Sequence, residues 1–256
     1  MRVAIVFFGM VRALPDVLDS IRANIIGCNA ADGIELKLFA SLNLVDVVRN
    51  ARSGEHSLPL DPGQVLQLGA DAYHLIRQDD ADIAPLLALT QAQRDPYRDG
   101  WASARNLLHQ LGSLDRAWRL IHQPAERPFD LYLFARPDLR YLAPIRIVDL
   151  ARHLHEPPSL LVPSWHSWGG LNDRLALACP VAARIYATRI ALVPAYCAEA
   201  PLHAEKLLRF ALAQARCKVG ALPVFAERVR IDGATKAENF ALTDIMLPSR
   251  PELLGT

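Results

Sequence analysis

Apolar and polar residues follow two rhythms along this chain, and together they predict alternating strands and helices. Val3 to Phe8 is an unbroken apolar run, as expected of a strand buried on both faces. Pro15 then marks the start of a helix, and Val17, Leu18, Ile21, Ile25 and Ile26 recur at helical spacing. Glu35 to Ala40 reads as a second strand, so the chain opens with the βαβ unit of a parallel sheet. From Ala104 to Ile121 the positions Leu107, Leu108, Leu111, Leu114, Trp118 and Ile121 predict a long amphipathic helix. It leads into a second buried strand, Leu131 to Ala135, where Pro137 should stop the ladder.

Weaker patterns fill the gaps. Val65 to Leu68, Ser159 to Pro163, Arg174 to Ala178, and Val219 to Val229 around Pro223 read as strands. Val181 to Ile190 and His203 to Ala215 read as helices. Asn43 to Pro62 is polar and broken by Gly54 and Pro59, which predicts loop with some helix. Asp79 to Gly100, with Pro85 and Pro96, is an expected excursion over the face that carries the site. The fold class is α/β, a mixed and mostly parallel sheet flanked by helices. No repeat or composition break marks a linker, so one domain is expected over 1–256.

Composition narrows the partners. Hydrophobic residues are 52% of the 256 and charged residues 21%, which is a globular composition. A net charge of +1 supplies no field for a polyanion, so no nucleic-acid partner is expected. Cys28, Cys179, Cys197 and Cys217 are widely spaced with no CxxC pair, so reduced thiols in a cytoplasmic protein are expected. The apolar start ends at Gly9 and Arg12 without a small-residue cleavage site and is read as a strand, not a signal peptide. The longest uncharged stretch, Pro157 to Asn172, is full of prolines and glycines, so no transmembrane segment is expected.

Three places carry candidate chemistry. Arg136 and Asp138 flank Pro137 at the carboxyl edge of a strand, where open α/β sheets bind ligands. A guanidinium suits phosphate, and a carboxylate suits a hydrated divalent metal or a sugar hydroxyl; a salt-bridged surface turn is the alternative. Gly9 and Arg12 follow the first strand, a glycine for close backbone approach and a cation at the same edge. The loop holding Trp165, His166, Trp168, Gly169, Gly170, Asn172 and Asp173 combines indoles that stack on sugars with polar groups for hydroxyls. Asp173 is the candidate general base, and the alternative there is a buried tryptophan corner with a type II turn at Gly169-Gly170. Glu205 lies in the first turn of a helix that His203 precedes, a place the helix dipole favours for an acid on its own account. Arg228, Arg230 and Lys236 read as either late phosphate contacts or a solvated basic face. No dinucleotide fingerprint and no GxxxxGK[ST] loop is present.

Taken in order, these segments resemble a group of bacterial and viral glycosyltransferase-like proteins of GT-A type from cell-surface glycan clusters. The features are Gly9-x-x-Arg12, the tryptophan-bearing helix, Arg136-Pro-Asp138-Leu, Asn172-Asp-Arg-Leu-Ala and Ala204-Glu-Lys-Leu-Leu, spread over Arg2 to Gly233. The resemblance implies a GT-A-like, Rossmann-like domain with a donor half at 1–141 and an acceptor half at 142–256. It implies a nucleotide-sugar donor and a glycan acceptor, with Gly9, Arg12 and Arg136 on the donor. Trp165, Trp168, Gly170 and Asn172 would serve the acceptor or sugar, and Asp173, Asp138 and Glu205 the chemistry. Asp138 would hold Mn²⁺ or Mg²⁺ against the donor diphosphate, or touch the donor sugar. The pattern departs where the first acid of the Asp-x-Asp motif should stand, because Arg136 occupies it. The expected function is sugar transfer from a nucleotide diphosphate to an acceptor hydroxyl. A non-catalytic sugar- or nucleotide-binding relative, or another α/β nucleotide-dependent transferase, stands as the alternative.

Overall fold

The computed structural model describes residues 1–50, 55–59, 61–122, 127–154, 158–235 and 238–240, with backbone alone for 47–50 and 55–59. Lys236 lies outside them. In chain order, β1 (Arg2–Met10) is followed by α1 (Leu14–Ile21), which runs through a π-helical turn into α2 (Cys28–Ala31) and then β2 (Glu35–Leu44). A hairpin of β3 (Val47–Asn50) and β4 (Glu55–Pro59) precedes β5 (Ala72–Arg77), α3 (Ala84–Gln91) and α4 (Ala102–Ile121). Next come β6 (Leu131–Ala135), β7 (Leu139–Tyr141), α5 (Ile147–Ala151), β8 (Ser159–Pro163) and β9 (Leu175–Ala178). The chain continues through α6 (Pro180–Thr188), α7 (Val193–Glu199), α8 (Ala204–Gln214), β10 (Lys218–Leu222) and β11 (Ala226–Arg228).

Seven strands form one sheet in the order β10-β8-β9-β6-β1-β2-β5, with β9 running against both its neighbours and every other pairing parallel. Helices cover both faces, as the apolar runs require. Side chains of β1 alternate strictly: Val3, Ile5 and Phe7 pack with α1, while Ala4, Val6 and Phe8 pack with α4 and α6. All five residues of β6 are buried. The mostly parallel α/β architecture expected from the sequence is therefore what the chain forms.

The chain leaves β1 to one side through α1 toward β2, and returns to the other side through α4 into β6. Strands β2 and β6 both pair with β1, so the order reverses there and a crevice opens at its carboxyl end. A second device sits beside it. Strand β7 pairs antiparallel with β11, and the Val229 N–H donates to the Asp138 carbonyl at 3.0 Å. That pairing carries Arg228 and Arg230 back to the turn that holds Arg136.

Three expectations about elements need correction. Val65 to Leu68 is the end of a 3₁₀ helix, Pro62–Leu68, not a strand. The Asp61 carboxylate caps it by accepting from the Gly63 N–H, Gly69 ends it at φ 63°, and Val65 and Leu68 share its buried side. The segment from Asn43 holds the end of β2 and the β3–β4 hairpin instead of loop and helix. The strand at Val219 splits into β10 and β11 at Pro223.

Candidate active site

A cavity of about 440 Å³ opens at the carboxyl edge beside β1 and β6. Arg12, from the loop after β1, and Arg136, directly after β6, both line it, as do Asp173 and Glu205. Four residues that the sequence singled out thus line one cavity. Arg174, Arg228 and Arg230 join them, so five guanidinium groups face one space.

Beneath the cavity lies a chain of charge pairs. Asp138 is 0% exposed and takes a bidentate clamp from Arg136, with Nε to Oδ1 at 2.8 Å and Nη2 to Oδ2 at 2.6 Å. The Arg12 Nε lies 3.9 Å from the same carboxylate. Burial alone would raise the Asp138 pKa, but Arg136 and Arg12 outweigh it and hold the carboxyl well below the usual carboxylate range. The clamp leaves Arg136 Nη1 to donate to Gln110 Oε1 at 2.8 Å, and Gln110 Nε2 donates to Asp173 Oδ2 at 3.0 Å. Behind Asp173 stands Arg189, whose side chain is fully buried with Nη2 at 3.5 Å from Oδ2. Asp138, Arg136, Gln110, Asp173 and Arg189 therefore form one alternating ladder.

The other wall is set by the tryptophan loop and α8. His203 precedes α8, with Nδ1 at 3.2 Å from Glu205 Oε2, and stacks on Tyr97 with ring centroids 5.6 Å apart. His166 meets Glu238 Oε2 at 3.1 Å and Arg174 Nη1 at 3.3 Å through Nδ1. Trp168 is 48% exposed on the cavity rim. The turn differs from expectation: Gly170 N–H donates to the Ser167 carbonyl, and the two central residues Trp168 (φ 47°) and Gly169 (φ 72°) both have positive φ, the pattern of a primed turn.

Four residues assigned to ligand contact sit elsewhere. Trp165 is 1% exposed and donates from Nε1 to the Val224 carbonyl, so it is a core residue and presents no face to a sugar. Asn172 is equally buried, donating to the Trp165 carbonyl and accepting from the Arg174 N–H; it shapes the loop. Gly170 is pressed on α8: a Cβ there would stand 2.2 Å from the Glu205 carbonyl carbon. Gly9 sits at φ 96° and donates its N–H to Ser113 Oγ at 2.8 Å, tying β1 to α4 instead of lining the cavity.

Sequence reasoning passed over Gln110 and Arg189. Gln110 carried a signal, because it stands one turn from Leu107 and Leu114 on the buried side of α4. Arg189, after α6, carried none. Arg228 and Arg230 belong to the cavity wall, and only the β7–β11 pairing brings them there. Burial pushes the Arg228 pKa down to about 9, aided by the like charges of Arg174, Arg136 and Arg230.

A divalent metal does not fit Asp138 as it stands. The carboxylate is fully buried, both its oxygens are clamped, and it does not line the cavity. Among the described residues no group of three histidine, cysteine or acidic side chains is placed to hold a metal ion. Among the same residues no helix is long and apolar enough to cross a membrane.

No protein-family model matches the sequence, and no curated protein matches it. Among solved structures, the chain is similar to mouse xyloside xylosyltransferase 1 in its apo form, with a TM-score of 0.41 and 11% identity. The match spans 86% of this chain and 85% of that one, and at such distance it carries no weight for the chemistry.

Proposed function

We propose that this chain is a glycosyltransferase that moves a sugar from a nucleotide-diphosphate donor to a glycan hydroxyl. One observation supports this above the rest: arginines crowd the cavity at the sheet's switch point, with Asp173 and Glu205 lining the same space. Arg12, Arg136 and Arg228 would stabilise charge on the departing diphosphate, an interaction that strengthens as the sugar–phosphate bond breaks. Asp173 would take the acceptor proton through Oδ1, since Gln110 and Arg189 occupy Oδ2. Glu205 and the exposed ring of Trp168 would hold sugar hydroxyls and an apolar sugar face. On this reading the donor half, 1–141, supplies Arg12 and Arg136. The acceptor half, 142–256, lends three more arginines, so the diphosphate sits across both. A divalent cation would have to arrive with the diphosphate, because Asp138 is not placed to hold it. A cytoplasmic location and a cell-surface polysaccharide as product belong to the same proposal.

Arg136 in place of a metal-binding acid favours a second reading, a sugar- or nucleotide-binding relative without turnover. Release of nucleoside diphosphate from a panel of nucleotide sugars separates the two. Transfer or hydrolysis that Glu205→Gln and Arg136→Met reduce at least tenfold supports the enzyme. Donor binding with no release over hours would leave the binder.

A further inference from the structure

We infer that the cavity holds the diphosphate of its ligand with guanidinium groups alone, without a divalent cation. This rests on the diphosphate reading above and narrows it. The first ground is that Asp138, the acid expected to hold a metal, is already committed. Asp138 is clamped by Arg136 and fully buried; Asp173 Oδ2 takes Gln110 and faces Arg189. Glu238 pairs with His166, and Glu205 lies beside His203. A metal at Asp138 would have to displace a bidentate arginine from a buried carboxylate and strand that arginine's charge.

The second ground is an unsatisfied donor. Among the described residues Arg228 Nε is buried without a hydrogen-bond partner, although the residue lines the cavity and is crowded by three other arginines. Such a group is costly without an acceptor, and a phosphate oxygen supplies the acceptor and the opposite charge together. By contrast, the groove at the opposite edge, near Arg2, is larger at about 570 Å³, but its Arg2 and Arg127 are both paired to Glu35.

Titration calorimetry with inorganic pyrophosphate at neutral pH tests this on the wild-type chain, once with EDTA and once with saturating Mg²⁺ or Mn²⁺. Binding in EDTA at an affinity equal to or greater than that with metal is expected, with at least a tenfold loss in Arg228→Ala folded as judged by circular dichroism. A tenfold or greater strengthening by metal overturns the inference while leaving the diphosphate reading intact. Full binding by folded Arg228→Ala removes the unsatisfied-donor argument and overturns it as well. Absence of binding under both conditions overturns the inference and the diphosphate reading together.

Discussion

Arg189 shows most clearly how single residues bind function to stability. Its side chain is fully buried, and the carboxylate of Asp173 at 3.5 Å is the opposite charge beside it. Removing one partner of a buried pair costs about 3–5 kcal/mol, because the other charge is left stranded. Asp173→Ala should lose that much in urea unfolding, and adding Arg189→Met should restore most of it. Simple additivity of the two losses would show that the pair is not coupled. A fall in turnover for an Asp173 variant must therefore be read beside its stability, whereas Glu205 offers a cleaner probe of chemistry.

Asp138 makes a different prediction at the same scale. Its folded pKa is held below the ordinary 3.8, so the clamp contributes stability above about pH 4. That contribution is lost as pH falls below the unfolded value and toward the folded one. Stability measured against pH should drop in the wild type below about pH 4. Asp138→Asn should start lower and show a shallower acid slope; an unchanged slope would mean the carboxyl is not perturbed.

At the scale of elements, the contact between the tryptophan loop and α8 sets the cavity's shape. The Glu205 carbonyl accepts from the Leu171 N–H at 2.9 Å, and Gly170 leaves no room for a side chain between them. Gly170→Ala should cost about 1–3 kcal/mol through overpacking, and it should weaken sugar binding by shifting Glu205 and Trp168 apart. Wild-type thermal stability in that variant would contradict the close packing.

What the sequence discloses about elements depends on how plainly burial is written in it. Strands β6 and β8 show their full lengths, because every residue is buried and prolines or turns end them. Strand β2 looks shorter than it is, since Ser41 and Asn43 are buried but polar; Asn43 is satisfied by the His109 carbonyl and Arg116, four elements' worth of chain away. Strand β5 is invisible because it lies at the sheet edge and is half exposed, with no alternation to read. That Arg12, Arg136, Asp173 and Glu205 come together around one cavity is legible because strand ends and a helix start point to them. Trp165, Asn172 and Gly170 are misleading: the same residue types that suit sugars also suit a tightly packed loop.

For the whole molecule, the fold separates two kinds of charge. At the amino edge of the sheet, Arg2 and Arg127 both pair with Glu35, and Asp130 lines the same groove. At the carboxyl edge, the order reversal at β1 and the return of β11 onto β7 gather arginines around one cavity. That gathering is built by topology, since Arg12, Arg136 and Arg228 come from three distant stretches of chain. The most direct measurement is a crystal structure with a nucleotide-sugar donor bound. The diphosphate is expected between Arg12, Arg136 and Arg228, with the sugar turned toward Asp173 and Glu205. A donor ordered at the Arg2 edge, or one whose diphosphate touches none of those three arginines, would contradict the proposed function.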